Sequence, residues 1–583
     1  MLSYRKLAMR VLGRPLHTGG GIDSPRPASQ RAAALVLTAA LLTGAAFPAF
    51  ADTYYIEDGD ITISAGKDGN DVTQNEKTTY GDKDTVITNQ KTDKASSNTV
   101  TINAGNDKVE VTLDNVNIKA DSGSALISKG DVTLTLKGDN HLTGGNGGSS
   151  SYGGDGITSS GSLTISGGTV TATGGDSTSS VGSGGSGIDS SGGVTVSGGT
   201  VTANGGDSKD GDGGSGGYGI SSSGVAISGG TVTANGGDGG SGSGSHGGNG
   251  IYSSSGVAIS GGAVTANGGD SKDGSGGNGI YSSGGVTISS GSTVTANGGN
   301  GEDGSGGRGI TSNGGVTVSG GTVNAKGGSG KNGNGGDGIR SFNPVAISGG
   351  TVNANGGNSD YSNGGDGIRS LDHVAISGGT VKSNGGSGNL SGGNGIISYD
   401  IDLSGSLELT AKAGSPNGKA LLQAGHELDL DTIKDKLDPG AKVTVTDADG
   451  KVNQVSIPRP VEPEEPVIPE ESSSSSDGGS ATPSTPASPL PGLTVTDKSG
   501  AVISYTSTQS GNTLTVCVGR FTASFRISLA ALRPLRAEGI ETITFQTILC
   551  STTLSVDELL AMGGEDAEAV LTHRLTDSSL TVG

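Results

Sequence analysis

Between Asp52 and about Gly145 the chain is strand-rich, and its runs TVTINA, VEVTLDNVNIKA, ALISKG and DVTLTLKG alternate apolar with polar residues. A period of two places neighbouring side chains on opposite faces of an extended chain, so these runs predict strands. From Gly156 to Ile396 the alternation acquires a second, longer rhythm. The segment Gly219–Gly237, GISSSGVAISGGTVTANGG, is a clean copy of a unit that recurs nine times. Its Gly-Ile isoleucine falls at Ile157, Ile188, Ile220, Ile251, Ile280, Ile310, Ile339, Ile368 and Ile396, a spacing of 28 to 32 residues. Each unit holds three short alternating runs, such as Ile220/Ser222, Val225/Ile227 and Val232/Ala234. Glycine pairs, Gly229-Gly230 and Gly236-Gly237, separate the runs where the chain is expected to turn with positive φ. Three strands and three turns per unit predict one rung of a right-handed parallel β-helix, with rungs about 4.8 Å apart.

The flanks of the repeat are less regular. Residues 52–145 read as an N-terminal cap and first coils, 146–402 as the nine-repeat helix, and 403–457 as a last coil and cap. In the latter, ELDLDTIKDKLDPG offers a short acidic helix to close the open end. Residues 458–492 form a Pro/Ser-rich linker. Residues 493–583 read as a small α+β domain with two hairpin-like strand pairs and helices around LAALRPLRAEG and VDELLAMG.

Composition narrows this picture. With 30% hydrophobic and 3% aromatic residues in 583, the chain cannot build several ordinary cores, so a thin core must be shared along an axis. Residues 1–51 carry six basic side chains against Asp23, then AAALVLTAALLTGAA and Ala49-Phe50-Ala51. That is the pattern of a signal peptide cleaved after Ala51, which predicts a secreted or cell-surface protein with no membrane span after cleavage. The net charge of −21, about −26 without the leader, argues against nucleic acid as a partner and favours divalent cations. Cys517 and Cys550 stand alone, as a single disulfide or as two thiols.

Stacked rungs turn equivalent positions into columns. Asn204, Asn235, Asn267, Asn297, Asn355 and Asn384 predict a structural amide ladder. Just beyond lie Asp176, Asp207, Asp238 and Asp270, which are either exposed acids in loops that fan apart or a column whose repulsion calcium would relieve. Asp155, Asp337 and Asp366, before Gly-Ile, are a second candidate metal set. The residue after the isoleucine faces outward and includes Tyr252, Tyr281, Arg340 and Arg369. Rings on which sugars stack, beside guanidiniums that grip carboxylates, suit a polysaccharide, acidic ones included. These four also have a purely structural reading as good occupants of exposed strand positions. The six histidines share no column and no nucleophile motif is present, so an enzyme is not expected.

From about Thr99 to Gly405 the wording VTLDNVNIKADSGSALISKGDVTLTLKGDNHLTGG and DGITSSGSLTISGGTVTATGG resembles a family of secreted bacterial carbohydrate-binding β-helix proteins. The resemblance implies a fold like that of polysaccharide lyases, binding of plant polysaccharides such as cellulose and pectate, and use of calcium. An acidic residue often precedes Gly-Ile in that family. Here only Asp155, Asp337 and Asp366 do so. The expected function is non-catalytic, extracellular polysaccharide binding, with a structural adhesin or stalk as the alternative and a polysaccharide lyase third.

Overall fold

A computed structural model describes residues 52–458 apart from 149–151, 179–181, 209–212 and 243. It also describes 492–582 apart from 498–500, 504, 511, 519–521, 548–550, 564–566 and 575–576. The leader 1–51 and most of the linker lie outside the described residues. The chain divides into two units, 1–463 and 464–583.

The first unit is a parallel β-helix whose rungs stack letter upon letter. Ile188 pairs with Ile220 and Ile220 with Ile251 on one strand column. Val201 pairs with Val232 and Val232 with Val264 on another. Inward side chains of each rung, such as Ile220, Val225, Ile227, Val232 and Ala234, are fully buried in one continuous core. Each such Val or Ile contributes about 1.5–3 kcal/mol, so the core gains stability rung by rung. Every rung also buries a serine, from Ser159 through Ser222 and Ser282 to Ser398. Burial of a hydroxyl demands a partner. The Ser222 hydroxyl lies 2.9 Å from the Gly192 carbonyl and 2.8 Å from that of Gly224, tying the turn to the rung before it.

The two glycine pairs do different work, which corrects the expectation that both need positive φ. Gly230 has φ 80°, and its counterparts Gly199, Gly262, Gly321, Gly350 and Gly379 match it within a few degrees. Gly236 and Gly237 are not in the left-handed region. They are glycine because a Cβ on Gly237 would run into the backbone carbonyls of Gly206 and Gly205. There the outgoing and returning arms of each glycine-rich loop cross. Gly237 N–H donates to the Gly217 carbonyl, Gly217 to Gly206 and Gly206 to Gly185, each at 2.8–2.9 Å. This zigzag continues unbroken from Gly123 to Gly414. Beyond the crossing, Gly239, Ser271, Gly301, Gly330 and Ser359 bridge in parallel from rung to rung. The described parts of the low-complexity loops therefore form an annex beside the main core.

Antiparallel strands Ile61–Ala65, Asn70–Gln74 and Lys77–Asp82 cover the N-terminal rungs. At the other end, the expected acidic helix is a single 3₁₀ segment, Leu430–Lys436, laying Leu430 and Ile433 on the last coil.

The second unit has two four-stranded sheets and helices Leu529–Ala537 and Val556–Met562, capped by Ser528 and Ser555. The expected hairpin NTLTVCVGRFTASFRI does not form: Thr513–Cys517 and Thr522–Ser528 belong to different sheets. They close around Phe525 and Phe545, rings 4.9 Å apart, so burying two aromatics outweighs local pairing. Cys517 carries a free thiol 3.5 Å from Gln546 Oε1, and Cys550 lies outside the described residues. No helix among the described residues is long and apolar enough to cross a membrane.

Candidate binding strip

The outward residue after each Gly-Ile isoleucine forms a true column. Tyr252 is paired with Tyr281, Tyr281 with Thr311, Thr311 with Arg340 and Arg340 with Arg369. Register alone brings the four expected contact residues onto one lateral strip.

The tyrosines use their faces on one another. Tyr252 and Tyr281 are stacked with centroids 5.4 Å apart and planes within 4°. Tyr218 lies on the other side of Tyr252, 5.1 Å away at 11°. Both faces of Tyr252 are thus covered, so the sugar-stacking role expected of it is open only to ring edges and hydroxyls. Tyr218 was not expected here, since it occupies the column before Gly-Ile; the only clue was an aromatic replacing the usual Asp or Asn. Burial pushes its phenol above the usual tyrosine range.

Farther along, three guanidiniums meet two carboxylates. Arg308 Nε and Arg340 Nη1 lie 3.5 and 3.7 Å from Asp337 Oδ2, and Arg369 Nη1 lies 3.3 Å from Asp366 Oδ2. The two aspartates are 6% and 5% exposed. Burial, then the neighbouring Asp337 charge, pushes the Asp366 carboxyl up. Burial and the adjacent Arg308 pull the Arg340 guanidinium down. The Nε atoms of Arg340 and Arg369 are buried without a hydrogen-bond partner.

The acidic columns have a backbone task that the sequence did not reveal. Asp337 Oδ1 accepts the N–H of Asp366 at 2.9 Å, and Asp366 Oδ1 accepts that of Asn394 at 2.6 Å. Asp155 accepts from Ser186 N–H and the Thr158 hydroxyl, both at 2.7 Å, and burial pushes its carboxyl up. The same device runs through Asp176, Asp207, Asp238 and Asp270, where each Oδ1 takes the N–H of the next residue in the column at 2.6–3.0 Å. At these positions the chain stacks in register rather than fanning apart. Asn300 and Asn358 do the same for Ser329 and Ser387, which is why Asn and Asp interchange there. The expected asparagine ladder forms beside it, with Asn235, Asn267 and Asn297 each donating to the preceding amide oxygen at 2.8 Å. Among the described residues, no three His, Cys, Asp or Glu side chains converge as a metal-holding group.

One exposed line escaped the sequence reading. The residue after the buried serine is Ser, Ser or Asn in the rungs of Ser253, Ser282 and Ser312, but Phe342, Leu371 and Tyr399 in the next three. These are 45%, 48% and 75% exposed. Arg340 lies over the Phe342 ring, 5.3 Å from its centroid, so this ridge adjoins the arginine column.

A family model described as Beta helix repeat matches residues 163–192, 225–249 and 345–368. The chain thus carries β-helix repeats, in agreement with the stacking of its rungs. No curated protein and no solved structure matches the chain.

Proposed function

We propose that this chain is an extracellular, non-catalytic polysaccharide-binding β-helix that grips a polymer lengthwise along its lateral strip rather than in a pocket. The observation that carries this reading is the shared column: Tyr252 and Tyr281 lie in register with Arg340 and Arg369 across the buried Thr311, flanked by Tyr218 and Arg308 of the neighbouring column. A repeating ligand meets repeating donors there, so weak contacts add along its length. The leader-like residues 1–51 support export. The non-catalytic part of the reading rests on Asp337 and Asp366, whose oxygens are engaged by main-chain N–H groups and guanidiniums rather than held for proton transfer. Calcium enters this reading as a diffuse counter-ion of the Asp176–Asp270 column. Co-sedimentation with insoluble plant cell-wall polysaccharide tests the reading. Wild-type chain pellets, Arg340→Ala with Arg369→Ala pellets less, and no unsaturated oligosaccharide is released; release of such products would favour a lyase instead.

A stalk is the second reading, favoured by the glycine zigzag from Gly123 to Gly414, which stiffens the solenoid independently of any ligand. Absence of binding to every polysaccharide fraction would support it.

A further inference from the structure

The exposed ridge of Phe342, Leu371 and Tyr399 has no structural duty comparable to that of the tyrosine stack. Its positions follow Ser341, Ser370 and Ser398, whose burial fixes the turn regardless of what comes next. Ser370 and Ser398 hydroxyls donate to the Asn343 and Asp372 carbonyls, each at 3.0 Å. Earlier rungs manage with serine or asparagine, so fold stability does not call for a large apolar side chain here. Three of them in consecutive rungs, on a chain with 3% aromatic residues, form a localised exposed apolar feature.

Its surroundings say what would cover it. On one flank stand Arg340 and Arg369. On the other are Asp372 and Asp400, the residues that follow Leu371 and Tyr399, with Asp400 paired in register with His373. Together with Arg308, Asp337 and Asp366 the neighbourhood holds three guanidiniums against four carboxylates, so it carries no positive excess to attract a polyanion. An apolar platform between hydrogen-bond donors and acceptors matches a sugar ring, which has C–H faces and hydroxyls at its rim. Phe342 and Tyr399 are two rungs apart, about 10 Å along the axis, which leaves room for successive rings of one extended chain.

We propose that Phe342, Leu371 and Tyr399 form the platform on which an uncharged, extended polysaccharide lies parallel to the solenoid axis, with Arg340 and Arg369 donating to its hydroxyls and Asp372 and Asp400 accepting from them. The proposal rests on the polysaccharide-binding reading above and narrows it to one end of the strip and to neutral chains.

Affinity electrophoresis of the full chain in gels containing hydroxyethylcellulose, glucomannan, arabinoxylan or polygalacturonate tests it. Retardation by at least one of the three neutral polymers, and weaker retardation by polygalacturonate, is expected. Phe342→Ala combined with Tyr399→Ala lowers affinity by about tenfold or more with an unchanged melting temperature, since both side chains are exposed. Tyr80→Ala, an exposed aromatic on the N-terminal strand Lys77–Asp82, leaves affinity unchanged. If the wild type binds and the Phe342/Tyr399 variant binds equally well, the ridge is wrong while the broader reading survives. Tighter binding to polygalacturonate, lost in Arg340→Ala with Arg369→Ala, overturns the preference for neutral chains. Retardation by none of the four polymers removes both readings.

Discussion

The main-chain nitrogen of Gly237 donates to the carbonyl of Gly217 at 2.9 Å, and these two residues belong to the outgoing arm of one loop and the returning arm of another. Their contact is the point at which the two arms pass within backbone distance. A methyl group at Gly237 meets the carbonyl of Gly206, which already accepts the Gly217 N–H and cannot retreat. Gly237→Ala is therefore expected to cost about 1–3 kcal/mol. Gly198→Ala, with open space around it and no positive φ, stays within about 0.5 kcal/mol. Chemical denaturation of both variants checks this, and equal midpoints would show that the crossing is not tight.

Tyr252 stacks on both faces, so its removal breaks two aromatic contacts at once. Tyr252→Ala should lose about 1–3 kcal/mol, whereas Tyr252→Phe, which keeps the ring, should be close to neutral. Thermal melting separates the two, and a silent alanine variant would mean that the stack contributes nothing to stability.

Asp238 lies between Asp207 and Asp270, and burial followed by those two charges pushes its carboxyl above the usual carboxylate range. A raised value means that the folded chain favours the protonated form. That contribution is complete below the ordinary carboxylate pKa and is lost as pH rises through the raised one. Asp238→Asn keeps an oxygen to accept the Asp270 N–H, as Asn300 does for Ser329. The variant should therefore gain about a few tenths of a kcal/mol at pH 7, the exposure of the site limiting the effect. The gain should close on titrating toward pH 4. Urea midpoints at the two pH values decide it, and a loss at pH 7 contradicts the charge argument.

The carboxylates of Asp207, Asp238 and Asp270 each commit an oxygen to the backbone, and no convergent cage is formed among the described residues. Calcium and magnesium at equal concentration should then raise the melting temperature by similar amounts, through screening of the acidic column. A shift specific to calcium would reveal a coordinated ion instead.

Much of the fold was legible because the same letters recur at a nearly constant spacing. Ile220 faces Ile251, and a one-residue slip would turn the apolar set of a rung outward. The asparagine ladder followed from the same reasoning, and so did the alignment of Tyr252 with Tyr281. Tyr218 was not legible as their partner, because it belongs to another column and meets Tyr252 only across rungs.

The repeat by itself determined the rung, its inward Ile, Val and Ala, and the shared core, because burial depends only on alternation and period. Tertiary structure alone decided what the outward groups do. Tyr252 and Tyr281 spend their faces on each other, the aspartates on the next rung's N–H groups, and Gly236-Gly237 on a backbone crossing rather than a left-handed turn. The physical reason is that these roles depend on which atoms lie on the neighbouring rung about 4.8 Å away, a distance no single rung contains.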